Sequence, residues 1–225
     1  MALILNIETA TSVCSVAIAE NGKILSCKED RSGNRHSEQI TLFIDYVLKD
    51  AEKKIPELDA VAVSSGPGSY TGLRIGVSTA KGLCYAMDKP LISISTLQAM
   101  ASGALMSSKE IDAKLCPMID ARRMEVYCAV YDEHLMELEN VSAKIIDENS
   151  FAEWLQQGRI YFFGDGSEKC KPLLSKNKNA VFTDQFFPSA SFMASLSEKK
   201  FQKKIFENVA LFEPFYLKEF FSKHQ

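Results

Sequence analysis

Apolar and polar positions along the first half of the chain predict strands and helices in a regular order. Short runs rich in Val, Ile, Leu and Ala have the length of strands, and Asn21-Gly22 supplies a turn. Longer segments place apolar residues three and four apart, which is typical of helices with one buried face. The predicted elements are strands at 2–8, 13–19 and 23–29, a helix at 37–53 with Ser37 as N-cap, a strand at 58–64, a helix at 70–87, a strand at 91–95 and a helix from residue 96.

The second half of the chain repeats this order. Repetition of element order without evident residue identity predicts two similar α/β lobes that meet at a cleft. We place the N-terminal lobe at residues 1–104 and the C-terminal lobe at residues 105–225. The predicted elements are strands at 115–120, 124–131 and 136–139, a helix near 148–157 capped by Asn149 or Ser150, a strand at 159–163, a helix, a short strand near 180–183 and a helix near 189–200.

A glycine-containing loop follows the fourth predicted strand of each half. Loops at the carboxyl ends of strands are where α/β proteins commonly bind ligands. The first loop, 65–69, opens onto a helix whose N-terminal amides could bind an anion, but no Gly-Lys-Ser/Thr sequence makes it a Walker A loop. The candidate nucleotide or anion residues are Glu8 at the end of the first strand, Gly66, Gly68, Gly164, Asp165 and Gly166.

Small residues recur every four positions in the predicted helix after the first loop. Gly72, Gly76 and Ala80 form a smooth stripe that lets another element approach closely. Glycine lowers helix propensity by about 1 kcal/mol relative to alanine, so the stripe requires a packing partner. Two partners stay open: this chain's own sheet, or helices of another molecule.

The sequence offers no recognisable catalytic or metal-binding constellation. The serines of the 65–69 loop have no identifiable histidine and acidic partners. His36 is followed three and four residues later by Gln39 and Ile40, which do not complete a metal site on a helix. We therefore predict no catalytic residue, no metal and no cofactor required by this chain.

Composition limits the compartment and the partners. The 225 residues, 46% of them apolar, suffice for one large core or two small ones. A formal net charge of -3 provides no chain-wide field that would hold RNA. The six cysteines include no Cys-x-x-Cys pair, and no apolar run approaches the roughly 20 residues that span a bilayer. These features predict a cytoplasmic protein with buried thiols and no membrane contact.

Several segments resemble the TsaB (YeaZ) family, in the order in which that family has them. The resemblance runs from residue 1 to about 220, and the segment that contains the first glycine loop is the most specific. It implies an α/β, duplicated actin-like (ASKHA, ribonuclease H-like) fold with two βββαβαβα-type lobes. The segments are Leu5-Asn6-Ile7-Glu8-Thr9-Ala10-Thr11, His36-Ser37-Glu38, Ser64-Ser65-Gly66-Pro67-Gly68-Ser69-Tyr70-Thr71-Gly72-Leu73-Arg74-Ile75-Gly76, Met118-Ile119-Asp120-Ala121-Arg122 and Pro214-Phe215-Tyr216-Leu217-Lys218.

The resemblance also implies a function. Members of the family are non-catalytic partners of TsaD, which transfers threonylcarbamoyl to adenosine 37 of tRNAs that read codons beginning with A. A TsaE-type ATPase joins the pair, ATP acts at the level of the complex, and tRNA is reached through the complex. TsaD carries a His-x-x-x-His metal motif, of which this chain keeps His36 and replaces the second histidine by Ile40.

The same resemblance places the partner interface on the two helices of the N-terminal lobe and implies that a homodimer can form in isolation. We also expect the 205–225 tail to pack back on the N-terminal lobe. The implied interface residues are His36, Ile40, Ser69, Tyr70, Thr71, Gly72, Leu73, Arg74, Gly76 and Ala80.

Two other functions stay open. The first is an ATPase or phosphotransferase of the actin-like superfamily that acts alone, through the cleft between the loops at Gly66 and Gly164. The second is a metalloprotease, which would require a bound metal.

Overall fold

The computed structural model describes residues 2–33, 35–107, 112–183 and 186–218, which form two five-stranded sheets with helices on their faces. The first half contains β1 Leu3–Glu8, β2 Cys14–Glu20, β3 Lys23–Asp30, α1 His36–Asp50, β4 Ala60–Gly66, α2 Tyr70–Met87, β5 Leu91–Ser95 and α3 Thr96–Ser107. The second half contains β6 Lys114–Asp120, β7 Glu125–Tyr131, β8 Glu137–Ile145, α4 Ala152–Gln157, β9 Ile160–Phe163, α5 Ser167–Leu174, β10 Ala180–Phe182 and α6 Ala194–Gln202.

The first sheet has the strand order β3-β2-β1-β4-β5. β1 pairs antiparallel with β2 and parallel with β4, so it lies at the centre, and all of its residues are buried. Apart from Asn6 and Glu8 the residues of β1 are apolar, as expected for a strand that is covered on both faces. α1 and α2 cover one face, where their side chains join those of the strands in one apolar core.

The second sheet repeats this arrangement, with the order β10-β9-β6-β7-β8. β6 takes the central place, antiparallel to β7 and parallel to β9. α4 and α5 cover one face and contribute to a second core. Each sheet therefore has three antiparallel strands followed by two parallel ones, which confirms the predicted α/β class and the predicted duplication.

Each half of the chain contributes a helix to the sheet of the other half. α3 belongs to the first half, yet its Leu97 packs with Leu115 and Phe163 of the second sheet. Conversely, Met193 and Leu196, at the start of α6, pack on the first sheet. The predicted lobe boundary between residues 104 and 105 falls within α3. No helix in the described part of the chain has the length and apolar character needed to cross a bilayer.

Two predicted boundaries are wrong, the start of the first helix and the end of the third strand of the second lobe. In both cases the regular hydrogen bonding extends beyond the predicted boundary. The amides of Glu38 and Gln39 bond to the Arg35 carbonyl, so α1 begins at His36 and Arg35, not Ser37, is the N-cap. The third strand of the second lobe does not stop at residue 139, because β8 pairs with β7 as far as Ile145.

The predicted caps of the fourth helix are also wrong. Ser150 Oγ donates to the Asp147 carboxylate (2.9 Å) and closes a turn ahead of the helix, and Phe151 has a left-handed backbone with φ 63°. The helix consequently begins at Ala152, with neither Asn149 nor Ser150 as its cap. The last predicted helix, 189–200, is a 3-10 turn at Ala190–Met193 followed by α6.

After α6, which lies on the first sheet, the chain continues along the first lobe. The Glu207 amide bonds to the Leu91 carbonyl (2.9 Å) at the edge of the first sheet. Val209 and Phe212 pack against the first core. We call residues 207–218 the C-terminal strap. Residues 219–225 of the predicted tail lie outside the described part of the chain.

Candidate partner interface and glycine loops

The first glycine loop is packed against the turn that follows β1. The Ser69 amide donates to the Ala10 carbonyl (2.6 Å), and a β-carbon on Gly68 would overlap that carbonyl oxygen. Gly66 has φ +110°, which favours glycine, and a β-carbon there would lie 2.7 Å from the Phe215 carbonyl oxygen of the strap. Both glycines are therefore required by close contact with this chain's own backbone.

The helix after this loop begins with a side-chain cap. Ser69 Oγ accepts a hydrogen bond from the Gly72 amide (3.3 Å), which satisfies one of the free N–H groups of the first turn of α2. The Ser65 carbonyl accepts a hydrogen bond from the Phe215 amide (2.7 Å). The loop thus forms hydrogen bonds with the turn after β1, with α2 and with the strap.

Glu8 is fully buried beneath the loop. Its Oε1 accepts hydrogen bonds from the Ala10 amide (2.6 Å) and from Ser64 Oγ (2.9 Å). Oε2 is buried without a hydrogen-bond partner among the described residues. Burial raises the pKa of Glu8 to about 7, and the hydrogen bonds to Oε1 oppose part of that rise. In this structure the carboxyl group is enclosed by β4 and the turn at residue 10, and a ligand-binding role for Glu8 stays a prediction.

The second glycine loop is closed in the same way. Gly164 has φ +100°, and a β-carbon there would overlap the Met118 carbonyl. Asp165 Oδ1 accepts the Asp120 amide (3.0 Å), and Ser167 Oγ donates to the Gly164 carbonyl (2.8 Å). Asp165 therefore fastens its loop to the end of β6. A β-carbon on Gly166 would lie 2.8 Å from the carbonyl carbon of Ile119, so this glycine is also a packing position.

The small-residue stripe of α2 packs on this chain's own sheet. β-Carbons on Gly72 and Gly76 would overlap the carbonyl and the hydroxyl oxygen of Thr9. Thr9 Oγ1 donates to the Gly72 carbonyl (2.8 Å), and Ala80 is fully buried in the first core. Of the two packing partners that the sequence left open for the stripe, the structure shows the internal one, this chain's own sheet and the turn after β1.

Six of the implied interface residues are consequently buried within the chain. Each faces the first sheet or the turn after β1, so none of them is available to a partner in this structure. The six buried positions are His36, Ile40, Gly72, Leu73, Gly76 and Ala80.

His36 is used for packing at the start of α1. Its Nε2 donates to the Thr11 carbonyl (2.7 Å), and its ring carbon Cδ2 lies 3.3 Å from where a β-carbon on Gly72 would be. Within the described residues, no group of three or more His, Cys, Asp or Glu side chains is arranged to hold a metal ion.

The solvent-facing surface of α1 and α2 consists of other residues. On α1, Leu42 is 65% exposed. On α2, Tyr85 is 85% exposed, and a β-carbon on Gly82 would meet nothing within 4 Å. The exposed positions of α2 are Thr71, Arg74, Ser78, Gly82, Tyr85 and Ala86, and its N-cap Ser69 is exposed as well. Sequence reasoning missed Ser78 and Gly82 because it followed the four-residue repeat of Gly72 rather than the face beside it.

Tyr70 and Arg74 lie together at the start of α2. The Arg74 guanidinium is 5.3 Å from the centre of the Tyr70 ring, and the rings of Tyr70 and Tyr216 are 4.8 Å apart. Arg74 is exposed and Tyr70 is half-buried. Of the implied interface residues, Ser69, Tyr70, Thr71 and Arg74 therefore keep contact with solvent.

Two sheets of equivalent order, each with a glycine loop after its first parallel strand, define a two-lobed α/β protein of the actin-like class. A family model described as TsaD, tRNA N6-adenosine threonylcarbamoyltransferase, matches residues 30–224. The chain therefore belongs to this family, and its relatives place it with the TsaB (YeaZ) proteins, as the motifs predicted.

These relatives align over nearly the whole chain. The tRNA threonylcarbamoyladenosine biosynthesis protein TsaB of Escherichia coli K12 is 31% identical over 96% of this chain and 94% of its own. The Haemophilus influenzae protein of the same name is 29% identical over 96% of this chain and 93% of its own. A solved structure of YeaZ from Pseudomonas aeruginosa has the same fold, with a TM-score of 0.83 at 23% identity, covering 96% of this chain and 100% of that one.

Proposed function

We propose that this chain is a non-catalytic partner of a TsaD-type subunit in the threonylcarbamoyl modification of adenosine 37 of tRNA. The names of its TsaB relatives support the pathway. The observation that carries the role is the contrast between the two sides of α2. The buried side is held by the chain's own sheet, and the outer side presents Tyr85, 85% exposed, beside small residues.

The proposed interface is the exposed face of α1 and α2. Small side chains such as those of Ser78 and Gly82 let a partner helix approach closely, and large apolar ones such as Leu42 supply area to bury. The two helices lie side by side on one face of the first sheet, so a pair of partner helices would complete a bundle.

The remaining partners follow from the same role. A TsaE-type ATPase would join the complex, ATP would act there, and tRNA would be reached through it rather than through this chain, whose net charge is -3. The same surface would allow a homodimer in isolation, and the setting is cytoplasmic. The closed glycine loops, whose glycines contact this chain's own backbone, favour this role over an ATPase that acts alone.

The test is binding of TsaD from the same organism, measured by size-exclusion chromatography with light scattering and by calorimetry. Ser78→Arg would place a charge in the middle of the proposed interface and should weaken binding about 30-fold or more. The matched control is Ile145→Arg, at a position 72% exposed on β8, which should bind as the wild type does.

Two results would count against the proposal. If both arginine variants lost binding equally, the loss would not be specific to α1 and α2, and the assignment of the interface to these helices would be wrong. Absence of any heterodimer, together with ATP turnover by the purified chain, would favour the actin-like ATPase instead.

A further inference from the structure

The C-terminal strap is fixed to the first lobe along much of its length. Lys81 Nζ on α2 donates to the carbonyls of Ala210 (3.1 Å) and Phe212 (2.9 Å). Glu207 accepts a hydrogen bond from Ser93 Oγ (2.5 Å) on β5. The charged Lys81 side chain holds two backbone carbonyls of the strap and so fixes the path of the strap along α2. This part of the strap is therefore an ordered segment of the first lobe.

Further along, the strap covers the first glycine loop. The Phe215 amide donates to the Ser65 carbonyl (2.7 Å), and the Tyr216 ring packs against the Tyr70 ring, with centres 4.8 Å apart and planes tilted by 38°. The Phe215 carbonyl occupies the space into which any side chain at Gly66 would project. The strap therefore closes the outer side of the loop with backbone and aromatic groups.

The end of the described strap reaches the second lobe. Lys218 Nζ forms an ion pair with Glu125 Oε2 at the start of β7. The backbone carbonyl of Glu125 accepts a hydrogen bond from Lys169 Nζ (2.7 Å) on α5, which positions this part of the strand. Glu125 lies beside the carboxyl end of β6, and Ser65 lies at the carboxyl end of β4. The strap thus joins equivalent edges of the two sheets.

The chain between these contacts is short. Tyr216 contacts the first lobe and Lys218 the second, and two extended residues span at most about 7 Å. Because so short a segment has little spare length, moving the edges of the sheets apart at this point would strain the Tyr216 contact or the Lys218 ion pair. We propose that the C-terminal strap, residues 207–218, locks the two lobes in the relative arrangement that this structure shows. The ion pair is accessible to solvent, since the Lys218 side chain is 43% exposed.

Hydrogen–deuterium exchange of the full chain tests the lock. Lys218→Glu places two carboxylates opposite each other, and the amides of residues 64–72 and 121–127 should then exchange roughly three to ten times faster. Exchanging the charges, Lys218→Glu with Glu125→Lys, should restore the wild-type rates. The matched control is Lys176→Glu, which breaks an exposed ion pair with Glu148 within the second lobe and should leave both segments unchanged.

Three results would overturn the proposal: unchanged exchange in the Lys218→Glu variant, faster exchange confined to the strap itself, or failure of the charge exchange to restore protection. The first would mean that the ion pair does not hold the lobes. The second would make the strap a local cover of the first lobe. The third would assign the effect to lost packing of Lys218 rather than to its charge.

Discussion

Gly76 and Gly82 lie on different faces of α2, and the space beside each decides what one added methyl group does. A β-carbon on Gly76 would overlap Thr9 Oγ1, whereas one on Gly82 would meet nothing within 4 Å. We expect Gly76→Ala to lower the free energy of unfolding by about 1–3 kcal/mol, because the tightly packed contact between α2 and the turn after β1 must move. Gly82→Ala should be neutral or stabilise by up to about 1 kcal/mol through helix propensity.

Urea unfolding of both variants, followed by circular dichroism, measures this difference. A Gly76→Ala protein as stable as the wild type would show that the stripe has room on its inner side. That result would contradict the close contact with Thr9 from which the internal packing of the stripe is argued.

Glu8 should make stability depend on pH. Burial raises its pKa from 4.5 to about 7 in the folded protein. Between these values the folded state keeps a proton that the unfolded chain has lost. The contribution of Glu8 to the free energy of unfolding is therefore fully present below about pH 4.5 and is lost as the pH rises to about 7, by on the order of 3 kcal/mol in all.

Glu8→Gln isolates this effect because glutamine does not titrate. We expect the wild-type free energy of unfolding, minus that of the variant, to decrease between about pH 5 and about pH 7 and to stay level above that range. Urea titrations of both proteins at several pH values give the difference directly, since other groups titrate equally in both. A constant difference across the range would mean that Glu8 is ionised in the folded state throughout.

At the scale of elements, the central strands and α2 could be predicted because local sequence and tertiary environment agree. β1 and β4 consist mostly of apolar residues, and Ser69 supplies the cap that α2 uses. The start of α1 could not be predicted, because His36 is held by the Thr11 carbonyl, a contact distant in sequence. β8 carries many polar residues along its length and becomes a strand through pairing with β7.

The candidate site shows the same division between local and distant information. The motif at residues 64–76 identified the family, yet the glycines in it are set by contacts with Thr9, Ala10 and Phe215. A glycine that avoids another backbone and a glycine that admits a ligand have the same sequence signature. The position of β1 decides which face of α2 is exposed to solvent. The pattern of apolar and polar residues in a single sequence does not contain that information.

At the scale of the whole molecule, the two lobes depend on each other. Sequence order places α6 in the second half, but Met193 and Leu196 cover the first sheet near Ile4 and Ile92. α3 does the converse for the second sheet through Leu97. The repeated order of elements correctly predicted two lobes. The exchange of helices between the lobes depends on long-range packing, which the order of elements does not specify.

This exchange predicts that residues 1–104 alone do not form a stable lobe. The segment would leave the face of the first sheet around Ile4 and Ile92 without its cover from α6. We expect the isolated segment to bind 8-anilinonaphthalene-1-sulfonate and to unfold in urea without a sharp transition, whereas the full chain unfolds cooperatively. Co-expression with residues 105–225 should restore the transition, because that segment supplies α6. Cooperative unfolding of the isolated segment would instead establish residues 1–104 as an independent domain.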